Sequence, residues 1–368
     1  MTEQIVLEHV TKTFTTKELG SVTAVNDFNL VVHKGECFSF LGPSGCGKTT
    51  TLRMIAGFED LSEGSIYLGG KLVSDRSKNI YLPPEKRGLG MVFQAFAVWP
   101  HLNVFENIAY PLKVKRLAKS DIREKVLKAM HYCNLDGLEK TFPSDLSGGQ
   151  QQRIALARAI VVNPEAMLLD EPLSNLDPHL RESMRFEIKR LQKEFGFTII
   201  FVTHDQSEAM ALSDRMLIMD MGNIQQIGTP AELYNHPKNR FVHSFLGQSN
   251  FITVDVRDGK VYPKGQYAFP LWVDNKPQKQ GEQVLACRPN TMELNRTEGF
   301  PCKIIKRTFK TDFVEYLIQI GEDNAIIQAP HRILFKNGED CYLKINNTVY
   351  YDVESQDVEK ERERRNIV

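Results

Sequence analysis

The chain lacks any run near the ~18 uninterrupted apolar residues that a membrane-spanning helix requires, so a pore made by this chain with helices is not expected. It also lacks an excess of either charge: Lys plus Arg and Asp plus Glu number 46 each over 368 residues. That balance provides no overall electrostatic footprint for nucleic acid, although a local patch stays compatible with it. From Met1-Thr2-Glu3-Gln4 no signal peptide is expected. Cysteine is scarce, and the six residues (Cys37, Cys46, Cys133, Cys287, Cys302, Cys341) have neither C-x-x-C spacing nor the density of a secreted scaffold. Reduced thiols in a cytosol are the expectation. The length leaves room for about two domains.

Against these absences stands Gly42-Pro43-Ser44-Gly45-Cys46-Gly47-Lys48-Thr49, which meets the phosphate-binding pattern G-x-x-x-x-G-K-[ST] in full. The apolar run Cys37–Leu41 before it reads as a short buried strand, and Thr50 to Ala56 after it reads as a helix. Glycines let the backbone curl so that successive N–H groups face phosphate oxygens, and the helix N-terminus adds its dipole. Lys48 would bridge the β- and γ-phosphates, Thr49 would ligate Mg²⁺, and Thr50 would adjoin the same phosphates. A nucleoside triphosphate is therefore the expected ligand.

Leu146-Ser147-Gly148-Gly149-Gln150 opens a second helix, with Ser147 a good N-cap and two glycines permitting close backbone approach. It makes a second anion site, and one chain uses two such sites only if each serves a nucleotide on a different subunit. Ala166 to Asp170, followed by Glu171, reads as a buried parallel strand ending in two carboxylates. Acids at that end lie where α/β sheets bind ligands. Asp170 can hold Mg²⁺, and Glu171 can polarise an attacking water as general base. Another buried strand, Thr198–Thr203, ends at His204, whose imidazole can contact the γ-phosphate. Gln94 follows Met91-Val92-Phe93 and can reach Mg²⁺ and the water. Ser174-Asn175-Leu176-Asp177 reads as an inter-subunit turn.

With these residues on the page, the chain resembles the ATP-binding cassette ATPases of transporters. The phosphate loop, Gln94, Leu146–Gln150, Asp170-Glu171, Ser174–Asp177 and His204 match that family's motifs in order and spacing. The resemblance implies an α/β P-loop core with a helical subdomain at about 95–161. It also implies a homodimer that sandwiches two ATPs, each between one copy's phosphate loop and the other's Ser147, Gly148, Gly149, Gln150 and Asp177. An aromatic would stack on adenine. Phe14 is the matching residue, although Thr15 to Ser21 is longer than the usual tight turn.

Further along, Ser120 can cap a helix that places Ile122, Val126, Met130 and Cys133 on one face. Thr229-Pro230-Ala231-Glu232 is a strong helix start. The ATPase domain is expected over 1–240 and an all-β small barrel over 241–368, with strand-like runs such as Ile252–Val256, Val284–Cys287, Phe313–Ile320 and Cys341–Ile345. This tail resembles the oligonucleotide-fold-like regulatory domain of importer ATPases. Cys287-Arg288-Pro289-Asn290 stands where that family carries Arg-Pro-Glu, so Asn290 is a departure. The mixed-charge run Asp357–Arg365 reads as a solvated end.

The resemblance places a permease helix beside Gln94, at Ala95-Phe96-Ala97-Val98-Trp99-Pro100-His101, and an extracytoplasmic substrate-binding protein in the same complex. The chain would then sit peripherally on the cytoplasmic membrane face. Residues 97–101 and 180–185 resemble ferric-iron and organophosphate importers more than maltose importers; a sugar or polyamine importer, a non-transport cassette ATPase of repair or translation, and a ligand-sensing module are the alternatives. Cys46 is expected to lean toward thiolate, beside Lys48 and a helix N-terminus, and so to react with a maleimide that Mg-ATP would block; burial as an apolar filler is the opposing reading.

Overall fold

The computed structural model describes residues 2–16, 20–277 and 279–353. The 357–365 run lies outside the described residues, as do 17–19 of the turn after Phe14. The chain divides into two compact units, Met1–Leu233 and Tyr234–Val368. The division thus falls before residue 240, inside the helix that Thr229-Pro230 starts.

In the first unit an antiparallel sheet forms from β1 (Glu3–Thr16), β2 (Gly20–His33), β4 (Glu63–Leu68), β5 (Lys71–Asp75) and β6 (Ile80–Tyr81), in the order β2-β1-β4-β5-β6. The second sheet holds β3 (Cys37–Leu41), β7 (Leu89–Val92), β8 (Ala166–Asp170), β9 (Thr198–Thr203), β10 (Arg215–Asp220) and β11 (Asn223–Gly228), ordered β11-β10-β3-β9-β8-β7. Its strands run parallel from β10 to β7. Their continuous apolar runs follow from burial of both faces. Alternation sorts the side chains: Phe38, Phe40, Leu168, Ile200 and Val202 join a cluster with β1 and β2, whereas Cys37, Met167, Leu169, Ile199 and Phe201 join one with the helices.

Helices α1 (Lys48–Ala56), α2 (Val104–Val114), α3 (Lys119–Tyr132), α4 (Gly148–Ile160), α5 (Pro178–Phe195), α6 (Gln206–Leu212) and α7 (Pro230–Asn235) complete this unit and reach the division. The face Ile122, Val126, Met130, Cys133 of α3 is buried, as its spacing predicts. Its N-cap is Ala118, not Ser120; Ser120 lies inside the helix and bonds Asp121. Thr229 and Glu232 bond each other's backbone N–H across the start of α7, as the sequence predicts. The C-terminal carbonyls of α1 are held by the buried Arg87 guanidinium, which donates to Met54 and Ile55 at 2.8 and 2.9 Å and to Leu82 O at 2.6 Å. A cation at that end satisfies orphan carbonyls and opposes the helix dipole.

The second unit contains α8 (Arg240–Phe245) and ten strands among the described residues. β12 (Asn250–Arg257), β13 (Lys260–Pro263), β15 (Gly281–Cys287) and β21 (Val349–Asp352) form a sheet ordered β13-β12-β15-β21. β14 (Trp272–Val273), β16 (Met292–Asn295), β17 (Phe300–Phe309), β18 (Val314–Ile320), β19 (Asp323–Ala329) and β20 (Asp340–Ile345) form the other, β14-β20-β17-β18-β19 with β16 on β20. One apolar cluster from Ile252 to Ile345 fills this unit. Arg288 acts here as a structural latch, with Nη1 donating to His243 O, Gly247 O and Ser249 Oγ at 2.8, 3.1 and 2.7 Å.

Candidate nucleotide-hydrolysis site

Four parallel strands end side by side and deliver the predicted polar residues to one rim. Register aligns Leu41 with Thr203, Asp170 with Val202, and Val92 with Leu169, so the loops after β3, β9, β8 and β7 emerge at the same edge. That edge is the carboxyl end of the sheet, where such sheets bind ligands.

After β3 the chain turns through Gly42 to Gly47. A Cβ at Gly42 would lie 2.4 Å from Met219 O, and one at Gly47 (φ +105) would lie 2.4 Å from Ala24 O. Only glycine fits at either position. Pro43 is half-buried, and Ser44 and Gly45 are exposed at the tip. α1 begins at Lys48, two residues before the predicted start, which puts Lys48, Thr49 and Thr50 in its first turn. Lys48 folds back across the loop, Nζ donating to Gly42 O at 2.7 Å and Pro43 O at 2.8 Å. Its ammonium is thus held on the loop's own carbonyl oxygens.

Thr49 Oγ1 donates to Asp170 Oδ1 at 3.2 Å, joining the helix start to the end of β8. Burial pushes the Asp170 carboxyl above its ordinary range, and the Thr49 bond partly offsets this. The next residue, Glu171, takes φ 45°, a left-handed conformation that costs a non-glycine residue of order 1–3 kcal/mol. It is fixed by Glu171 N donating to Val202 O at 2.9 Å and by Ser174 Oγ donating to Glu171 O at 2.9 Å. Its side chain is where the site converges: Gln94 Nε2 donates to Glu171 Oε2 at 3.2 Å, and His204 Nδ1 lies 3.2 Å from the same oxygen. Asn175 Nδ2 donates to Gln94 O at 2.9 Å and steadies that loop.

Ser147 caps α4 in a reciprocal box with Gln150, at 2.9 and 3.3 Å. Gly148 and Gly149 pack against Leu176 and Leu180, where a Cβ would lie 3.7 and 3.4 Å from a methyl carbon. Among the described residues no hydrogen bond joins Ser147–Gln150 to this chain's own phosphate loop. Asp177 caps α5, accepting from His179 N and Leu180 N. Phe14 pairs with Val22 on the β1–β2 hairpin, 36 % exposed, with Lys12 Nζ 4.8 Å from its ring centroid.

Phe96 and Ala97 both adopt left-handed φ, 57° and 50°. Sequence reading missed what holds them there. Arg158, on α4, donates to Ala97 O at 2.7 Å and Phe96 O at 3.1 Å, and lies 4.6 Å from the Trp99 ring centroid. Asn107, fully buried on α2, accepts from Trp99 N at 2.9 Å and donates to Trp99 O and Leu102 O. Its one sequence signal is an amide in an otherwise apolar helical stripe. Phe58 was also missed; it is 54 % exposed and packs 6.0 Å from Phe93.

A phosphate loop, a strand-end carboxylate pair and a Gln–Glu–His contact on one sheet edge define a P-loop ATPase of the cassette type. Comparison with known proteins agrees. The family model "ABC transporter" matches residues 25–174. The chain is 51 % identical over 311 residues to the spermidine/putrescine import ATP-binding protein PotA of Desulfitobacterium hafniense, covering 83 % of this chain and 87 % of that one. It is 41 % identical over 318 residues to the Fe(3+) ions import ATP-binding protein FbpC 1 of Rhizobium meliloti, covering 85 % and 88 %. It is 48 % identical over 260 residues to the trehalose/maltose import ATP-binding protein MalK of Thermococcus litoralis, covering 70 % of each. The dimeric ATP-binding cassette MJ0796 bound to ADP and Pi superposes with TM-score 0.54 at 32 % identity, over 61 % of this chain and 98 % of that one. The chain belongs to the ABC transporter family, as an ATP-hydrolysing subunit of the importer group.

The expectation for Cys46 fails. Its side chain is 2 % exposed and sits in the apolar cluster with Phe40 and Met219. Burial pushes the thiol up, and the nearby Lys48 ammonium, with Nζ 3.7 Å from Sγ, offsets this only in part. Sγ faces the core, so proximity along the chain misled. Native protein should therefore resist maleimide at Cys46 equally with and without Mg-ATP, and label there only in denaturant. Rapid native labelling that Mg-ATP blocks, read by peptide mass mapping, would restore the thiolate reading.

Proposed function

We propose that two copies of this chain assemble head to tail, each phosphate loop closed by the partner's Ser147–Gln150, and hydrolyse ATP to drive solute import through separate permease subunits. The observation that carries the hydrolytic part is the double contact on Glu171 Oε2 by Gln94 and His204. A carboxylate so oriented can accept a proton from an attacking water, while His204 and Gln94 keep it from rotating away. Lys48, released from the loop carbonyls, would pair with β- and γ-phosphate oxygens. The buried Asp170 with Thr49 Oγ1 fits a hard divalent cation, since a charge there would relieve the desolvation that raises the Asp170 carboxyl. With Gln94 they would hold Mg²⁺, which when bound neutralises phosphate charge. Phe14 offers an exposed ring to adenine.

The permease would dock on Ala95–His101. Its support is an exposed aromatic pair, Phe58 and Phe93, beside Gln94, together with a half-buried Phe96 and Trp99 held by Arg158 and Asn107. No helix among the described residues is long and apolar enough to cross a membrane. On the family's pattern the chain would attach peripherally at the cytoplasmic face, with the pore and the extracytoplasmic substrate-binding protein as other chains. The second unit, over 234–368, would be regulatory.

For the solute, a ferric-iron or organophosphate cargo is the first reading, supported by residues 97–101 and 180–185 and by the FbpC relative across most of the chain. A polyamine is the second, favoured by the higher identity to PotA over a comparable length. Uptake of labelled ferric complex, glycerol phosphate and spermidine by cells with and without the chain separates them. Loss of spermidine uptake alone would overturn the first reading.

Glu171→Gln keeps shape and removes the base. It should bind ATP with Mg²⁺ normally, slow hydrolysis by ~10²–10⁴-fold and accumulate an ATP-bound dimer on size-exclusion chromatography. Turnover at the wild-type rate would remove Glu171 from the role of base.

A further inference from the structure

In the second unit, Cys302 on β17 and Cys341 on β20 face each other directly in an antiparallel register. Their Sγ atoms lie 3.5 Å apart, and Cys341 Sγ also reaches Cys302 O at 3.7 Å. They are the only two cysteines within hydrogen-bonding reach of one another among the described residues. Directly opposed antiparallel residues have Cα atoms about 4.5–5.5 Å apart, inside the roughly 4.4–6.8 Å span that a disulfide bridges. Closing the bond needs the sulfurs to move from 3.5 Å to about 2.05 Å, by rotation of the two side chains and a small approach of the strands. The pair is also reachable: Cys341 is 2 % exposed, but Cys302 is half-buried, and both line an open groove of about 900 Å³ with Lys303, Gln319 and Tyr342.

We propose that Cys302 and Cys341 form a reversible modification site, a cross-strand disulfide made by exchange with a low-molecular-weight disulfide entering this groove. The ionised thiol of the pair attacks one sulfur of the external disulfide, forming a mixed disulfide and expelling one thiolate. The second thiol, having lost its proton to solvent, attacks the protein sulfur of that bond and expels the other thiolate. Two protein thiols are oxidised and one external disulfide is reduced to two thiols, so electrons balance. Hydrogen bonding between the two sulfurs, 3.5 Å apart, eases the first ionisation of the pair and opposes the second. The other four thiols, Cys37, Cys46, Cys133 and Cys287, are buried and make no sulfur–sulfur contact among the described residues, so they should stay reduced in the folded chain.

The test uses the full-length protein incubated with oxidised glutathione, then acid-quenched, alkylated in denaturant and weighed. Two of the six thiols should become unreactive with no glutathione retained, and digestion should yield one peptide pair linked through Cys302 and Cys341. Dithiothreitol should restore both thiols. Cys341→Ser should instead retain a glutathione adduct on Cys302. Six reactive thiols in the wild type, a lasting glutathione adduct on it, or a link through any other cysteine would each overturn the proposal. The wild-type measurement decides the question even where a variant folds poorly.

Discussion

The oxygen Oε2 of Glu171 is the point on which the site depends. It is held by Gln94 from the loop after β7 and by His204 from the end of β9, on either side of β8, which carries Glu171 itself. Three neighbouring strands therefore meet at one carboxylate. Their parallel register brings the ends level, and the apolar runs that bury both sheet faces hold that register. The left-handed φ of Glu171 is the local cost, and the Val202 and Ser174 bonds offset it.

A second dependence runs through α4. One end of this helix presents Ser147–Gln150, and near the other Arg158 grips the carbonyls of Phe96 and Ala97. The segment after Gln94 is thus fastened to the helix that would close on the partner's nucleotide, while Gln94 itself touches Glu171. A shift of α4 on ATP binding would carry that segment as one body, because a half-buried guanidinium that loses its carbonyl partners is costly.

Much of this was legible in the residue order. Strands with both faces buried read as unbroken apolar runs, and each such run ends beside a candidate site residue: Leu41 before the phosphate loop, Asp170 before Glu171, Thr203 before His204. Caps with side-chain partners were legible too, at Ser147 and Thr229. What stayed hidden was set by contacts distant in sequence. Arg158 looks like any surface cation until Phe96 and Ala97, some sixty residues earlier, turn their carbonyls toward it. Ser120 looks like a cap, but the chain enters α3 two residues too early for it to serve. Cys46 looked activated because neighbours along the chain were counted without the direction of its side chain. The pairing of Cys302 with Cys341 needed the register of β17 and β20, which no spacing rule supplies.

The central claim is that each hydrolytic site takes its phosphate loop from one copy and its Ser147–Gln150 from another. Mixing two inactive proteins tests it directly: Lys48→Ala, which spoils the loop, and Ser147→Arg, which blocks the closing helix. If the sites are shared, a mixed dimer holds one site with both parts intact, and ATP hydrolysis reappears on mixing in proportion to mixed dimer formed. If each chain completes its own site, every site in the mixture carries a defect. Hydrolysis that stays absent on mixing, with mixed dimers shown to be present, would contradict the account.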